Sequence, residues 1–392
     1  MRLPRVLADL DWVTVILAGV LALCGLVFID SATADDLSGR SLAGKQGFVL
    51  VMGLVVGAVT VSTHYGRVMR AAWLLYGATV IALALLPWFG VVVNGAQRWY
   101  KLPGGFLLQP AEFAKLGLIL ALASYLRFRH KARIWDGLLV PIGITLVPAT
   151  LILKQPDLGS SLVLWPVLLA MCLVAGAPPR AIVRVALLGL VVGVAGYFVM
   201  RDYQRGRIDT WREHFAWQPE AVVADNDPAR EAAAKMRVRL RDTAYQPWQA
   251  LIAIGSGGWS GFGIGRGPQN IHDFLPYRES DYVFAVVAEE TGLLGCIGVL
   301  GLQMALALRL LWIAARSRER FGRLLAVGVA TYLGAQSLMH AAVCAWLVPA
   351  TGLPMPLVSY GGSSTLVALL GIALALSVSA RREPVLSADG FA

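Results

Sequence analysis

The chain has 392 residues, of which 57% are hydrophobic and only 15% are charged, and its mean hydropathy is +0.65. Soluble domains carry about 25% charged residues, so this composition excludes a soluble globule, a disordered chain, a coiled coil and a secreted disulfide scaffold. The net charge of +10 lies in short clusters between apolar segments, which is the pattern of membrane topology rather than of nucleic-acid binding. We therefore expect a polytopic membrane protein.

Ten apolar segments follow one another along the chain, and a membrane-crossing helix needs about 20 apolar residues. They predict an all-α fold with ten transmembrane helices, in a single membrane domain over residues 1–392. The second segment is short, and the eighth is long enough to bend or to begin outside the hydrocarbon. The ten predicted spans are Trp12–Ile29, Phe48–Ser62, Ala71–Phe89, Ala111–Phe128, Leu138–Leu153, Ser160–Ala175, Ile182–Met200, Tyr282–Ala314, Leu324–Leu347 and Thr365–Ala380.

Basic residues predict the orientation of these spans. They cluster before the first span and after every even-numbered one, whereas the short loops on the other side carry few. Because basic loops stay in the cytoplasm, both termini are predicted to be cytoplasmic and the protein to lie in the cytoplasmic membrane. The long segment Arg201–Asp281 is then a large extracytoplasmic loop. Asp227 followed by Pro228 predicts the start of a short surface helix within it.

Charged side chains in the fourth span form the first candidate site. Glu112 and Lys115 lie at positions i and i+3 of that helix, and Arg98 precedes them in the outer loop. A charge within a span costs about 2.5–3.5 kcal/mol, so we expect this pair to have a structural or functional role. The pair either forms a polar wall of a substrate site or joins helices as a structural ion pair. We expect the two side chains to face a cavity that opens outward and to interact with each other or with Asp281.

The fifth span ends in a second polar motif, KQPDLGSSLV. Pro156 breaks the helix, and Asp157 either caps the next helix or takes a direct part in the site. Lys154 lies just inside the interface, where its long side chain can extend outward or face a cavity.

A glycine-rich stretch closes the large outer loop, with six glycines between positions 255 and 265. A dinucleotide-binding fingerprint requires a preceding strand in a βαβ unit, and no such strand is predicted here. We expect a tight loop with exposed backbone instead.

Asp281 lies where the outer loop enters the eighth span, followed by the apolar residues Tyr282 and Val283. A carboxylate between water and an apolar environment has a raised pKa, which suits a general base. The alternative is that Asp281 caps the helix. Glu289 and Glu290 lie two turns deeper, where they must face protein or a cavity.

The loop between the ninth and tenth spans contains the last candidate site, SYGGSS. Three prolines prevent a continuous helix before it. Ser359 and Ser363 provide hydroxyls that can bind a sugar or a diphosphate, and the alternative is a structural re-entrant loop.

Five segments together resemble the shape, elongation, division and sporulation (SEDS) family, to which RodA and FtsW belong. They are NGAQRW with QPAEFAK, KQPDLGSSLV, the glycine-rich QALIAIGSGG, FLPYRESDYVFAVVAEETG and GLPMPLVSYGGSS, and the resemblance runs from about residue 90 to residue 380. Asp281 matches the essential aspartate of the family, and Glu112 and Lys115 match its glutamate and lysine. The chain departs from the family pattern at Ala111, Tyr277, Glu279 and Ser280, and its outer loop is longer around residues 212–243.

The resemblance implies a peptidoglycan glycosyltransferase that polymerises lipid II into β-1,4 glycan strands on the outer face and releases undecaprenyl diphosphate. Such an enzyme acts in elongation, shape or division, and a class B penicillin-binding protein is the expected partner. The 4-hydroxyl of the acceptor attacks the anomeric carbon of the lipid-linked glycan, with Asp281 as the base. Residues with cationic side chains, or a divalent cation (Mg²⁺ or Mn²⁺), stabilise the departing diphosphate. The cationic candidates are Arg98, Lys115, Lys154 and Arg207.

The main alternative function is a lipid II flippase, because charges within spans and broken helices also mark transport paths. Against it, the polar residues collect at the outer face and no inverted repeat is visible. A scaffold that recruits a transpeptidase is the third possibility, but this role does not explain the positions of Asp281 and Glu112.

Overall fold

The computed structural model describes residues 9–34, 42–93, 96–128, 136–197, 202–216 and 244–381, and these residues form thirteen α-helices and three short strands. The strands are β1 (Val91–Val93), β2 (Ala96–Lys101) and β3 (Leu107–Leu108). The helices are α1 (Trp12–Ala32), α2 (Leu42–Ser62), α3 (Tyr65–Phe89), α4 (Pro110–Leu126), α5 (Asp136–Lys154), α6 (Leu158–Ala175), α7 (Pro179–Gly196), α8 (Asp202–Ala216), α9 (Tyr245–Ser256), α10 (Pro268–Ile271), α11 (Val283–Arg316), α12 (Arg320–Cys344) and α13 (Gly362–Ser379).

Each of the ten predicted spans overlaps one of these helices, and residues 198–200 of the seventh span lie outside the described residues. Within the described ranges, seven helices are long and apolar enough to cross a membrane, namely α1, α2, α3, α6, α11, α12 and α13. The other three spans correspond to α4, α5 and α7, which do not meet both criteria. The all-α polytopic membrane fold is confirmed, whereas the exact number of ten crossings stays a prediction.

The large outer loop contains more regular structure than its sequence indicated. Its described parts form α8, α9 and the short α10, while the surface helix predicted from Asp227 lies outside the described residues. The loop before α4 folds into an antiparallel sheet in which Val91 pairs with Trp99 and Tyr100 pairs with Leu108. These strands are rich in β-branched and aromatic residues, which favour a pleated surface.

Helix α4 lies at the centre of the bundle and is buried along nearly its whole length. It packs against α3, α5, α6 and α12, and small residues permit this close approach. A Cβ atom at Gly117 would come within 2.8 Å of the Thr79 hydroxyl on α3, and one at Gly328 of α12 would come within 2.6 Å of Ile119. This packing holds the first turn of α4, and the residues before it, at the end of the bundle that the sequence predicts to be extracytoplasmic.

Helix α11 breaks at Gly292, which has a φ of 65°, and the glycine-rich stretch fills this break. The carbonyl oxygens of Glu289 and Glu290 accept hydrogen bonds from the backbone N–H groups of Phe262 and Gly263, at 3.1 and 2.9 Å. A Cβ atom at Gly261 would overlap the Glu290 carbonyl group. The glycines thus permit backbone-to-backbone packing, and the prediction of a tight loop is confirmed, as is the bend in the eighth span.

Candidate active site

A cleft of about 1740 Å³ lies at the end of the bundle that the sequence predicts to be extracytoplasmic. Its wall comes from the first turns of α2, from the β-sheet region, from α8, from residues 276–281 and from residues 350–364. These segments are far apart in sequence. The fold brings four of the predicted site residues into this wall: Arg98, Arg207, Asp281 and Ser363.

Asp281 faces the cleft from the turn before α11, where its side chain is partly exposed. Burial raises the pKa of this carboxyl group from 3.8 to about 6, and the positive charge of Arg207 opposes the rise. At neutral pH the group is mainly ionised and able to accept a proton. The N-cap position of α11 is occupied by Tyr282, so the helix-capping alternative for Asp281 is wrong.

Gly352 packs directly against the Asp281 carboxylate. It has a φ of +64°, a conformation that glycine adopts without strain, and a Cβ atom there would come within 3.1 Å of Asp281 Oδ2. The loop between α12 and α13 therefore forms one side of the pocket around the carboxylate.

Two arginines in the cleft wall are close enough to influence Asp281. Arg98 donates from Nε to the carbonyl oxygen of Gln155 at 2.9 Å and also bonds the carbonyl of Pro156, and Arg207 donates from Nη1 to the carbonyl oxygen of Ala350 at 2.9 Å. The positive charges of both arginines lower the pKa of Asp281. Two anchored cations therefore line the same cleft as the candidate base.

Glu112 and Lys115 bind each other but do not line the cleft. Lys115 Nζ lies 2.6 Å from Glu112 Oε1, and the two side chains are 0% and 1% exposed. Lys115 also donates to Gln336 Oε1 at 2.8 Å, and Gln336 Nε2 donates to the carbonyl oxygen of Pro354 at 2.7 Å. The expected mutual contact is present, but the pair lies beneath the cleft as a brace for the wall residue Pro354.

Asp157 takes the capping position proposed for it. Its Oδ1 atom accepts from the backbone N–H of Ser160 at 3.1 Å at the start of α6, and its Oδ2 atom accepts from Gln109 Nε2 at 3.0 Å. The backbone N–H of Gln109 in turn donates to the hydroxyl of Ser363 at 2.9 Å. Asp157 is buried, and it supports two residues of the cleft wall, Gln109 and Ser363.

The remaining two predicted site residues lie outside the cleft wall. Ser359 is buried, and its hydroxyl accepts from the backbone N–H of Met355 at 2.8 Å, as expected for the structural alternative. Lys154 is exposed at the end of α5. A direct role of either residue in the site stays a prediction.

The cleft also contains aromatic side chains and one cation that were not predicted from the sequence. Trp99, Tyr245 and Tyr360 line it, as does Lys45 in the first turn of α2. Their sequence signal is weak, because aromatic residues are common at any membrane interface and a single lysine in an outer loop has no motif. Aromatic faces are suited to stacking on sugar rings.

Within the described ranges, no group of three His, Cys, Asp or Glu residues is placed to hold a metal ion. The cleft wall contains two carboxylates, Asp281 and Glu279. Mg²⁺ bound to substrate phosphates often uses only one or two carboxylates, so the donor set fits a cation that a diphosphate brings with it.

Comparison with known proteins identifies the family. A family model described as a cell cycle protein, FtsW/RodA/SpoVE, matches residues 9–383. The chain belongs to this family. The SEDS resemblance seen in the five segments is thereby confirmed over nearly the whole chain.

Named relatives of this SEDS protein are similar over almost their full length. The probable peptidoglycan glycosyltransferase FtsW of Marinobacter nauticus is 33% identical, with 95% of this chain and 90% of the relative covered. The protein of the same name from Geobacter sulfurreducens is also 33% identical, with 95% of each chain covered.

Solved structures agree with the fold. A chain of a peptidoglycan synthase complex that coordinates polymerization and crosslinking superposes with a TM-score of 0.74, at 32% identity and with 95% and 98% of the two chains covered. The rod shape determining protein RodA of Thermus thermophilus superposes with a TM-score of 0.66, at 31% identity and with 96% and 98% covered.

Proposed function

We propose that this SEDS protein is a peptidoglycan glycosyltransferase that polymerises lipid II into β-1,4 glycan strands. The observation that carries the proposal is the position of Asp281, a carboxylate with a pKa of about 6, in a large cleft beside two anchored arginines. The names of its relatives, which describe probable peptidoglycan glycosyltransferases, support the same reaction.

The reaction joins two lipid-linked sugars by one displacement. Asp281 accepts the proton of the acceptor 4-hydroxyl as that oxygen bonds to the anomeric carbon of the donor. The bond from this carbon to the diphosphate breaks, and undecaprenyl diphosphate leaves with the electron pair. Arg98 and Arg207 stabilise the negative charge on the leaving group. One inversion converts the α-linked diphosphate into a β linkage, so one carboxylate base suffices.

Lys115 and Lys154 are less suited to the leaving group than the sequence indicated, because neither lines the cleft. Lys115 is fully buried in its ion pair with Glu112, so its charge is already compensated. Arg98 and Arg207 are the cations that we assign to the diphosphate. Any divalent cation in the reaction would be held by Asp281 or Glu279 together with phosphate oxygens.

In the proposed topology the cleft opens at the outer face of the cytoplasmic membrane, and both termini lie in the cytoplasm. The basic loops support this orientation. A class B penicillin-binding protein, which would crosslink the new strand, is the proposed partner. The similar chain from a peptidoglycan synthase complex that coordinates polymerization and crosslinking supports such a partnership.

A lipid II flippase fits the structure less well, because the cleft is lined from one end of the bundle. Beneath it lie the buried Glu112–Lys115 pair and Gln336, which hydrogen-bond one another and the wall residue Pro354. All three residues are buried and none of them lines the cleft.

The test is polymerisation of labelled lipid II by the purified protein with its partner, compared with Asp281→Asn. Asn preserves the shape of the side chain but removes the basic oxygen, so we expect a loss of about 100-fold or more. Asp273→Asn is a matched control, because Asp273 is an exposed aspartate of the same loop that pairs with Arg278 and does not line the cleft. An Asp281→Asn variant with near wild-type polymerisation would refute the assignment, and lipid II transport without polymer would favour the flippase.

A further inference from the structure

His340 lies on α12, beneath the cleft and near its candidate base, and its side chain is fully buried. Its Nδ1 atom is 2.6 Å from the carbonyl oxygen of Leu353, and its Nε2 atom is 3.4 Å from the backbone nitrogen of Phe284. A carbonyl oxygen can only accept and a backbone N–H can only donate. The imidazole is therefore neutral, with its proton on Nδ1 and its acceptor at Nε2.

The two groups bound by His340 belong to the two segments that enclose Asp281. Phe284 lies in the first turn of α11, three residues after Asp281. Leu353 follows Gly352, and a Cβ atom at Gly352 would come within 3.1 Å of Asp281 Oδ2. One imidazole thus connects the segment that carries the carboxylate with the segment that packs against it.

A second side chain of α12 extends this connection to the Asp281 backbone. The Sγ atom of Cys344, one turn after His340, is 3.8 Å from the carbonyl oxygen of Asp281 and 3.5 Å from His340 Nε2. One turn before His340, Gln336 holds the next residue of the loop, Pro354, by its carbonyl oxygen. Three successive turns of α12 therefore fix the walls around the carboxylate.

We propose that His340 is a positioning residue for Asp281, which holds residues 352–353 and the first turn of α11 at the separation that the carboxylate requires. It does not touch substrate, because it does not line the cleft. The proposal rests on the proposed function, in which Asp281 is the base of the polymerisation reaction. A base displaced by about 1 Å can lose about 100-fold in rate while substrate binding is retained.

The two bonds of the imidazole can be removed separately. The amide of Asn lies near the position of His Nδ1, so His340→Asn retains the donor to Leu353. The amide of Gln lies near the position of Nε2, so His340→Gln retains only the longer contact to Phe284. His340→Leu removes both. Ser337→Ala is a matched control, because Ser337 is equally buried on the same helix and donates to the carbonyl oxygen of Leu333 in the turn before it.

The experiment measures kcat and KM for lipid II polymerisation by these variants with the partner protein present, alongside Asp281→Asn and the thermal midpoint of each. We expect His340→Asn to stay within about 3-fold of wild type in kcat, and His340→Gln and His340→Leu to lose about 10- to 100-fold in kcat at nearly unchanged KM. Ser337→Ala should retain wild-type values.

Equal kcat values for His340→Asn and His340→Gln, whether normal or reduced, would overturn the proposal, even if His340→Leu does not fold. The same holds if the loss appears in KM or in the thermal midpoint alone. An active Asp281→Asn variant would instead refute the proposed base, and would do so whatever the His340 variants show.

Discussion

The pH dependence of polymerisation tests the environment of Asp281 most directly. The base must be ionised, and burial raises its pKa from 3.8 to about 6. Lowering the pH through this value protonates the base, so the rate falls as the pH falls. With a pKa of 6, about nine-tenths of the enzyme is active at pH 7, half at pH 6 and about one-tenth at pH 5. An aspartate with an ordinary pKa would remain almost fully ionised at pH 5.

Replacing Arg207 by Gln tests whether the positive charge of this arginine lowers the pKa of Asp281. The positive charge of Arg207 lowers the pKa of Asp281, so its removal raises that pKa and moves the midpoint of the rate profile to higher pH. Because we also assign Arg207 to the diphosphate, the maximal rate should fall as well. The midpoint and the maximum are separate readouts of the two roles.

The assay is the initial rate of labelled lipid II polymerisation between pH 5 and pH 8.5, with the partner protein held constant. Arg205→Gln is the matched control, because it removes the same charge from the same helix at a residue that does not line the cleft. A wild-type rate at pH 5 equal to that at pH 7 would rule out a base with a pKa of about 6. A midpoint for Arg207→Gln that is unchanged or lower than that of wild type would refute the electrostatic argument alone.

Three further substitutions test the packing around the site. Gly352→Ala forces a left-handed φ of +64° on a residue with a Cβ atom and crowds Asp281. The substitution should cost about 1–2 kcal/mol, so we expect a folded protein with a reduced kcat for polymerisation. A normal rate would contradict the contact between Gly352 and Asp281. Gly261→Ala should prevent stable folding, measured by size-exclusion chromatography in detergent, whereas Gly298→Ala, with open space at its Cβ position, should be tolerated. Lys115→Met leaves a buried carboxylate without its partner, which should destabilise the protein by about 3–5 kcal/mol, and an unchanged thermal midpoint would show that the pair contributes little.

Hydropathy predicted the membrane helices because every backbone polar group in a bilayer must be satisfied within a helix or a closed barrel. That constraint does not act on the outer loop, where α8 and α9 have mixed polar and apolar sequences and were not predicted. The β-sheet before α4 was also not predicted, because strands of two to six residues provide too short a pattern.

The candidate site was predictable where position alone determines chemistry. Asp281 is the carboxylate at the junction of the outer loop and a span, and the structure places it in the cleft. Glu112 and Lys115 were predicted to meet because their spacing places them on neighbouring turns of a helix. Their depth was not predictable, because α4 is buried on all sides and its sequence has no exposed face to define an orientation. His340 gave no signal at all, since the Leu353 and Phe284 groups that it binds are backbone groups brought to it by the tertiary fold.

The polar residues beneath the cleft and those in its wall converge on one segment of the chain, residues 352–354. Gln336 holds Pro354 and is itself bound by the buried Lys115, while His340 holds Leu353. Effects of residues that share a partner are not additive. The Lys115–Gln336 contacts and the His340 imidazole both act on this one segment if they position Asp281. A variant that loses both Lys115 and His340 should then show a smaller fold-loss in kcat than the product of the fold-losses of the two single variants. Independent effects would instead mean that the buried ion pair serves stability alone, and that the position of the base depends on α12 without help from α4.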